Sequence, residues 1–120
     1  MRIAVCSSDE SEIARICSLL DACAAAVCRK VTTDVFRSEN AFRAVFRPGY
    51  FYGAAVCYGD AKGFLLARSV REEDRDCRVI LLDDTDRYAI RGLRIHIHDF
   101  LIRPVGSDQL RAALLRLLTE

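Results

Sequence analysis

Four short segments with polar, charged or thiol side chains follow apolar stretches of the chain, and they hold residue types that could do chemistry. They are Ser7-Ser8-Asp9, Cys57-Tyr58, Asp83-Asp84 and Arg103-Pro104. Carboxylates are ligands for hard cations, and the guanidinium group of an arginine pairs with carboxylate or phosphate groups. The segments can act together only if the apolar stretches before them are neighbouring strands of one sheet.

Two further groups of residues could bind a metal ion. His96 and His98 are one residue apart and face the same side of an extended stretch, but a site needs a third ligand. The acidic run Asp83-Asp84-Thr85-Asp86 could hold a cation, although such a run more often caps the helix that follows it. We therefore expect no metal site, and we expect Asp84 or Asp86 to lie near the first turn of the next helix.

The six cysteines are interpreted as reduced side chains and not as a disulfide framework. Cys6, Cys57 and Cys77 lie in or beside apolar runs, and no pair has the spacing Cys-x-x-Cys. Buried, reduced cysteines act as small hydrophobic side chains and are typical of cytoplasmic proteins. A redox-sensing pair of Cys6 and Cys57 is the alternative, since both would end neighbouring strands.

Hydrophobic periodicity predicts five strands that alternate with five helices. Strands are predicted at residues 3–6, 31–36, 53–57, 79–82 and 100–102. Helices are predicted around residues 13–27, 42–46, 64–70, 86–91 and 110–118. This alternation favours an α/β fold with a parallel sheet, helices on both faces and the flavodoxin-like strand order 2-1-3-4-5, the second strand lying at an edge. Ligands bind such a sheet at the carboxyl ends of its strands, where all four polar segments fall.

Capping residues support three of the predicted helix starts. Ser7 with Glu10 fits a capping box ahead of the first helix, and Asp9 and Glu12 suit the dipole of that helix. Ser38 is predicted to cap the second helix, and Ser107 the fifth.

Composition excludes several classes of protein. With 120 residues and 52% apolar content, the chain is expected to form a single domain over residues 1–120 that needs no disulfide or metal for its core. Its 18 basic and 17 acidic residues argue against a bare nucleic-acid or membrane-surface binder. No apolar run approaches the ~18 residues of a membrane span. Because the first residues turn acidic too early for a signal peptide, we expect a cytoplasmic protein without membrane contact.

Three stretches carry a family resemblance: the opening MRIAVC at 1–6, DRYAI at 86–90 and, most specifically, HIHDFLIRPV at 96–105. Through them the chain resembles the receiver domains of bacterial two-component response regulators, the CheY-like fold. More narrowly, it is similar to receivers that precede a LytTR-type DNA-binding domain. The resemblance covers the whole chain and is weakest from Gly53 to Gly63, where a loop is shorter than is usual in the family.

In that family, a magnesium ion and a phosphoryl group share one pocket. Two acidic residues after strand 1 hold the ion, and an aspartate ending strand 3 accepts the phosphoryl group. Here the resemblance puts Ser7 and Ser8 at the acidic pair, with Asp9 following, and Tyr58 at the acceptor position, or Cys57 if the register slips by one. Serines lack the anionic oxygens that magnesium prefers, and neither tyrosine nor cysteine can form an acyl phosphate.

The other two positions of the pocket also depart from the family. Asp83 stands where a threonine or serine binds the phosphoryl group, and Arg103 stands for a lysine, while Pro104 and its expected cis peptide bond are retained. We expect Arg103 to be held by Asp83 or Asp84 through a charge-assisted hydrogen bond, which would fill the space of phosphate and magnesium. The alternative is an Arg103 that points into solvent.

The resemblance thus implies a degenerate receiver, a pseudo-receiver that is not an enzyme, needs no cofactor and signals by protein contact. Phe100 matches the aromatic switch position of the family and is expected to be a fixed core ring. The face formed by helix 4, strand 5 and helix 5 is a possible dimer face, with Arg87, Arg91, Arg94 and Arg111. Expected partners are a second copy, a histidine kinase or an output domain, and DNA only through an output domain beyond this chain.

Two other functions stay open at the sequence level. One is a working phospho-acceptor that needs magnesium and uses Asp60 or Asp83 as a non-standard carboxylate. The other is a flavodoxin-like module that senses a ligand or the redox state.

Overall fold

Five strands alternate with five helices in the computed structural model, which describes residues 1–120. The elements are β1 (Arg2–Cys6), α1 (Glu10–Ala26), β2 (Thr32–Phe36), α2 (Glu39–Val45), β3 (Gly53–Val56), α3 (Asp60–Glu73), β4 (Arg78–Asp83), α4 (Ala89–Arg94), β5 (Asp99–Ile102) and α5 (Ser107–Thr119). All strand pairs are parallel, and their order is β2-β1-β3-β4-β5. The predicted fold class and strand order are confirmed.

The central strands are apolar because helices cover both faces of the sheet. Residues 3–6 of β1 and 79–82 of β4 are fully buried. β2 lies at an edge, as predicted, and there Asp34 accepts hydrogen bonds of 2.9 and 2.8 Å from Arg2 of the neighbouring strand. No helix combines the length and the apolar composition that crossing a membrane requires.

Alternation along the strands divides the core into two layers. Cys57 and Leu82 pack with α1 and α5 on one face, whereas Tyr58 and Leu81 belong to the layer on the other face, under α2 and α3. Asp83 follows Leu82 and therefore points to the same face as Tyr58. This parity decides which polar groups meet at the ends of the strands.

The small residues Gly53-Ala54-Ala55 of β3 allow a helix to approach the sheet closely. A Cβ atom on Gly53 would lie 2.9 Å from the Cδ1 atom of Leu117 in α5 and 3.1 Å from the carbonyl oxygen of Arg78. A side chain at residue 53 would therefore require Leu117 of α5 and the backbone of β4 to shift.

The cap of α1 differs from the prediction. The capping residue is Asp9, whose carboxylate accepts hydrogen bonds from the backbone N–H groups of Ser11 and Glu12 at 2.9 and 3.2 Å. The Ser7–Glu10 capping box is therefore wrong. A charged acceptor directly ahead of the first turn interacts favourably with the helix dipole, and the Ser7 hydroxyl has a different partner, described below.

The remaining caps are mixed. Ser38 caps α2 as predicted, with its hydroxyl accepting from the N–H of Ala41 at 3.1 Å. The cap predicted at Ser107 is wrong, because Gly106 holds the extended backbone before α5 and Ser107 is already helical. α4 begins at Ala89, later than predicted, and no side chain caps it, so Asp84 and Asp86 do not have the expected role.

Candidate functional site

A cleft of about 420 Å³ opens at the carboxyl ends of β1, β3 and β4. It is lined by Ser7, Ser8, Asp9, Glu12, Cys57, Tyr58, Gly59, Lys62, Asp84 and Arg103. The predicted pocket residues come together here except Asp83 and Pro104, which line adjoining cavities. Glu12 and Lys62 were not predicted to belong to this site.

Arg103 is the centre of the polar contacts in the cleft. Its Nε and Nη2 atoms donate to the two carboxylate oxygens of Glu12 at 2.8 and 3.0 Å. Nη2 also donates to the carbonyl oxygen of Cys57, and Nη1 donates to Asp84 at 3.3 Å. The expected pairing with Asp84 is confirmed, and the alternative in which Arg103 points into solvent is wrong.

Glu12 is itself held in place by the end of β1. The Ser7 hydroxyl donates to Glu12 at 2.9 Å and accepts from the backbone N–H of Asp9 at 3.1 Å. Glu12 lies four residues before the buried Ile16, on the face of α1 that packs against the sheet. This spacing was the available indication that Glu12 points inward and not only toward the helix dipole.

The electrostatics of the cleft keep Arg103 charged. The hydrogen bonds that Arg103 donates to Glu12 raise the pKa of Arg103 above its ordinary value, and partial burial opposes this only in part. The guanidinium side chain is 25% exposed and that of Glu12 is 15% exposed, so water competes little for the pair. The donors that would face a phosphoryl group already have acceptors within the protein.

Asp83 does not contact the guanidinium, contrary to one of the two expected pairings. Its Oδ1 atom accepts from the backbone N–H groups of Asp60 and Asp84 at 2.9 and 2.6 Å. Its Oδ2 atom is buried and has no hydrogen-bond partner. The reason is the alternation of β4, which turns Asp83 toward α3 while Arg103 lies on the α1 side.

The two residues at the end of β3 are buried on opposite faces. Burial raises the pKa of Tyr58 to about 12, and its hydroxyl has no hydrogen-bond partner. The ammonium group of Lys62 lies 5.0 Å from the centre of the Tyr58 ring. Burial also raises the pKa of the Cys57 and Cys6 thiols. Both thiols therefore stay protonated, and the thiolate that redox exchange needs does not form readily.

The remaining predicted positions lie around the cleft. The Arg103–Pro104 peptide bond is cis, as expected. Phe100, expected to be a core ring, is only half-buried and packs against the layer under α2 and α3 from outside it. No three histidine, cysteine, aspartate or glutamate side chains meet in a metal-binding arrangement, and this includes His96 and His98.

Asp60 lies beside the cleft and is exposed. Its carboxylate is 3.2 Å from the Nη1 atom of Arg87. With Arg87 and the acidic run 83–86 it lines a second cavity of about 520 Å³. Of the two alternative carboxylates, Asp60 is therefore accessible and Asp83 is not.

The expected dimer face is only partly continuous. Arg87, Arg91 and Arg94 are exposed on or next to α4. Arg111 lies instead on the α1 side of α5, where its carbonyl oxygen is 3.9 Å from the sulfur of Cys23. The face around α4 also exposes Ile90 and Leu93, at 68% and 69%.

No protein-family model matches the chain, and no curated protein matches it. Solved structures do match its fold. The non-phosphorylated HemR receiver domain from Leptospira biflexa has a TM-score of 0.80 at 18% identity, over 99% of this chain and 94% of that one. A response regulator receiver protein from Pseudoalteromonas atlantica has a TM-score of 0.80 at 17% identity, over 98% and 97%.

A longer protein matches as well. The response regulator DrrB, a Thermotoga maritima OmpR/PhoB homolog, has a TM-score of 0.76 at 21% identity, over 98% of this chain and 52% of that one. The chain thus spans about half the length of DrrB. The chain has the fold of response regulator receiver (CheY-like) domains.

Proposed function

We propose that this chain is a degenerate receiver domain of a two-component response regulator, which signals by protein contact without aspartyl phosphorylation. The observation that carries the proposal is the contact set of Arg103. In a receiver-like fold this position faces the phosphoryl group, and here its guanidinium is occupied by Glu12, Asp84 and the carbonyl oxygen of Cys57. An internal carboxylate therefore stands where an external phosphate would bind.

The rest of the cleft supports the same conclusion. The Ser7 hydroxyl binds Glu12, and the carboxylate of Asp9 caps α1, so neither is free to ligate magnesium. Tyr58 and Cys57 offer no carboxylate at the end of β3. Phosphoryl transfer depends on placing an acceptor and cations around the developing charge, and this cleft has no carboxylate at the acceptor position while its Arg103 is already paired.

The proposal predicts that acetyl phosphate with magnesium adds no phosphoryl group to the wild-type protein, as judged by intact mass. A receiver of established phospho-acceptor activity serves as the positive control for the reagent. Tyr58→Asp is expected to stay unmodified too, because the magnesium-binding pair is still missing. A gain in Tyr58→Asp alone would show that only the acceptor had been lost, which leaves the proposal for the wild type intact.

A phosphoryl group on the wild-type protein that hydroxylamine removes would contradict the proposal. The accessible Asp60 would then be the first residue to examine, since the carboxylate of Asp83 is buried and engaged with two backbone N–H groups. Loss of the modification in Asp60→Asn would establish the second function, a phospho-acceptor with a non-standard carboxylate.

We propose further that the face around α4 is the contact surface and that a second copy of the chain occupies it. Ile90 and Leu93 are the most exposed large apolar side chains of the protein. Exposed apolar groups bordered by charged residues mark protein interaction sites. A histidine kinase or a LytTR-type output domain is a further proposed partner, and contact with DNA would require such an output domain. The proposed compartment is the cytoplasm.

Leu93→Glu is therefore expected to shift the protein from dimer to monomer in sedimentation velocity over a range of concentrations. A buried glutamate at the centre of an interface carries a desolvation cost that the dimer cannot offset. Leu65→Glu is the matched control, because Leu65 is also exposed but lies on α3. A wild-type protein that is monomeric at every concentration, or an equal shift in Leu65→Glu, would contradict this interface.

A further inference from the structure

Another charged cavity, distinct from the cleft and from the cavity beside Asp60, lies at the other end of the sheet from Arg103. Its volume is about 550 Å³, and it opens between the carboxyl-terminal halves of α3 and α4. It is lined by Arg68, Arg71, Glu72, Arg75, Arg94, Ile95 and His96. Four guanidinium groups thus face one carboxylate in a concave site.

Arg71 builds the wall of this cavity. Its Nε and Nη2 atoms donate to the carbonyl oxygens of Ile95 and His96 at 3.1 and 3.0 Å, and its Nη1 atom donates to that of Arg75 at 2.7 Å. These bonds tie α3 to the loop between α4 and β5. Because all of these acceptors are neutral carbonyls, they orient the guanidinium without cancelling its charge.

The other arginines of the cavity are poorly neutralised. Arg68 has only Glu72 as an ionic partner, at 3.7 Å, and both side chains are largely exposed. The guanidinium groups of Arg75 and Arg94 form no ion pair and donate no hydrogen bond within the protein. Arginines elsewhere are often paired, as in Arg2–Asp34, Arg37–Glu10, Arg43–Glu39 and Arg116–Asp99.

We propose that this cavity binds a small anion that carries a chain of two or more phosphoryl groups. Guanidinium groups bind phosphate oxygens in pairs, with strong charge-assisted hydrogen bonds. Positive charge in a concave site concentrates anions there. The volume falls within the ~300–1,000 Å³ of small-molecule sites, and Ile95 is the only apolar residue of the lining, so the site suits a ligand that is largely charged. The proposal is independent of the cleft around Arg103.

Titration calorimetry with sodium tripolyphosphate, pyrophosphate and ATP tests the proposal, in the absence of magnesium and at one ionic strength because salt screens such contacts. We expect saturable binding to the wild-type protein. The double variant Arg75→Ala/Arg94→Ala is expected to bind about tenfold more weakly or worse, since it loses two charge-assisted partners. ATP and tripolyphosphate of equal affinity would show recognition of the phosphate chain alone, and a preference for ATP would show that the nucleoside contributes.

The matched control is Arg29→Ala/Lys30→Ala, which removes the same charge from the exposed segment between α1 and β2, outside the cavity. It is expected to bind as the wild type does. Equal weakening in both double variants would show attraction by overall charge and would overturn the site. Absence of binding to all three probes would overturn it as well. Thermal melts of both variants establish that they are folded, since all four substituted side chains are exposed.

Discussion

The substitution Gly63→Ala, which adds one methyl group, is expected to lower the free energy of unfolding by about 3 kcal/mol or more. Gly63 is buried in the first turns of α3, and a Cβ atom there would lie 1.9 Å from the carbonyl oxygen of Tyr58. That oxygen belongs to the backbone and cannot rotate away. The overlap is relieved only if α3 moves away from the end of β3, which would also disturb the cleft.

The turn between β3 and α3 explains why the approach is so close. Asp60 has a φ angle of +62°, in the left-handed region that aspartate tolerates better than most residues. Only Cys57, Tyr58 and Gly59 stand between the end of β3 and the first residue of α3. Such a short connection returns the chain directly over the Tyr58 carbonyl, and residue 63 must then lack a side chain.

Urea denaturation followed by far-UV circular dichroism measures this loss for Gly63→Ala. Gly106→Ala is the matched control, since residue 106 has a φ angle of −67° and no atom lies within 4 Å of the added Cβ. The control is expected to stay within about 0.5 kcal/mol of the wild type. Equal midpoints for the two variants would mean that the turn does not have this geometry.

The fold was predictable because burial on both faces leaves a clear pattern in the sequence. The runs at 3–6 and 79–82 are continuously apolar, and helical spacing follows each strand. That pattern depends only on burial within the domain, and no output domain, partner or ligand is needed to produce it. Local competition explains the misplaced cap of α1: the pattern at Ser7 fits a capping box, but Asp9 is a charged acceptor two residues closer to the free N–H groups.

The candidate site was predictable in position but not in its main contact. The position of the site follows from the strand ends, which are local features of the sequence. Side chains alternate between the two faces along β4, and this alternation alone distinguishes Asp84, which reaches Arg103, from Asp83, which does not. The pair of Glu12 and Arg103 joins residues 91 positions apart. It depends on the distance between α1 and the end of β5 in the folded sheet, and no local sequence pattern predicts that distance.

Loss of the Glu12 carboxylate is the second change with a large expected effect. The guanidinium of Arg103 is three-quarters buried, and Glu12→Ala removes the carboxylate that accepts two hydrogen bonds from it. Removing one member of a fully buried pair costs about 3–5 kcal/mol, and the remaining exposure of this pair lowers the expectation to about 2–3 kcal/mol. The Ser7 hydroxyl also loses its acceptor, which adds to the cost in the same direction.

Glu10→Ala provides the matched control for charge. Glu10 lies two residues away on α1 and pairs with Arg37, but both side chains are more than 60% exposed. Exposed ion pairs contribute little to stability, so Glu10→Ala is expected to change the free energy of unfolding far less than Glu12→Ala does. The two substitutions remove the same charge from the same helix, and their difference therefore reports the burial of Glu12 together with its contacts to Arg103 and Ser7.

A double-mutant cycle with Arg103→Ala separates the pair from its surroundings. We expect a coupling energy of about 1–2 kcal/mol between Glu12 and Arg103, measured by urea denaturation. Salt screens exposed charges far more than buried ones, so the coupling should persist at high ionic strength, whereas that of Glu10 and Arg37 should vanish. A coupling near zero, or one that salt abolishes, would mean that Arg103 is free to exchange Glu12 for an external anion, and the cleft would then have to be treated as an open phosphate site.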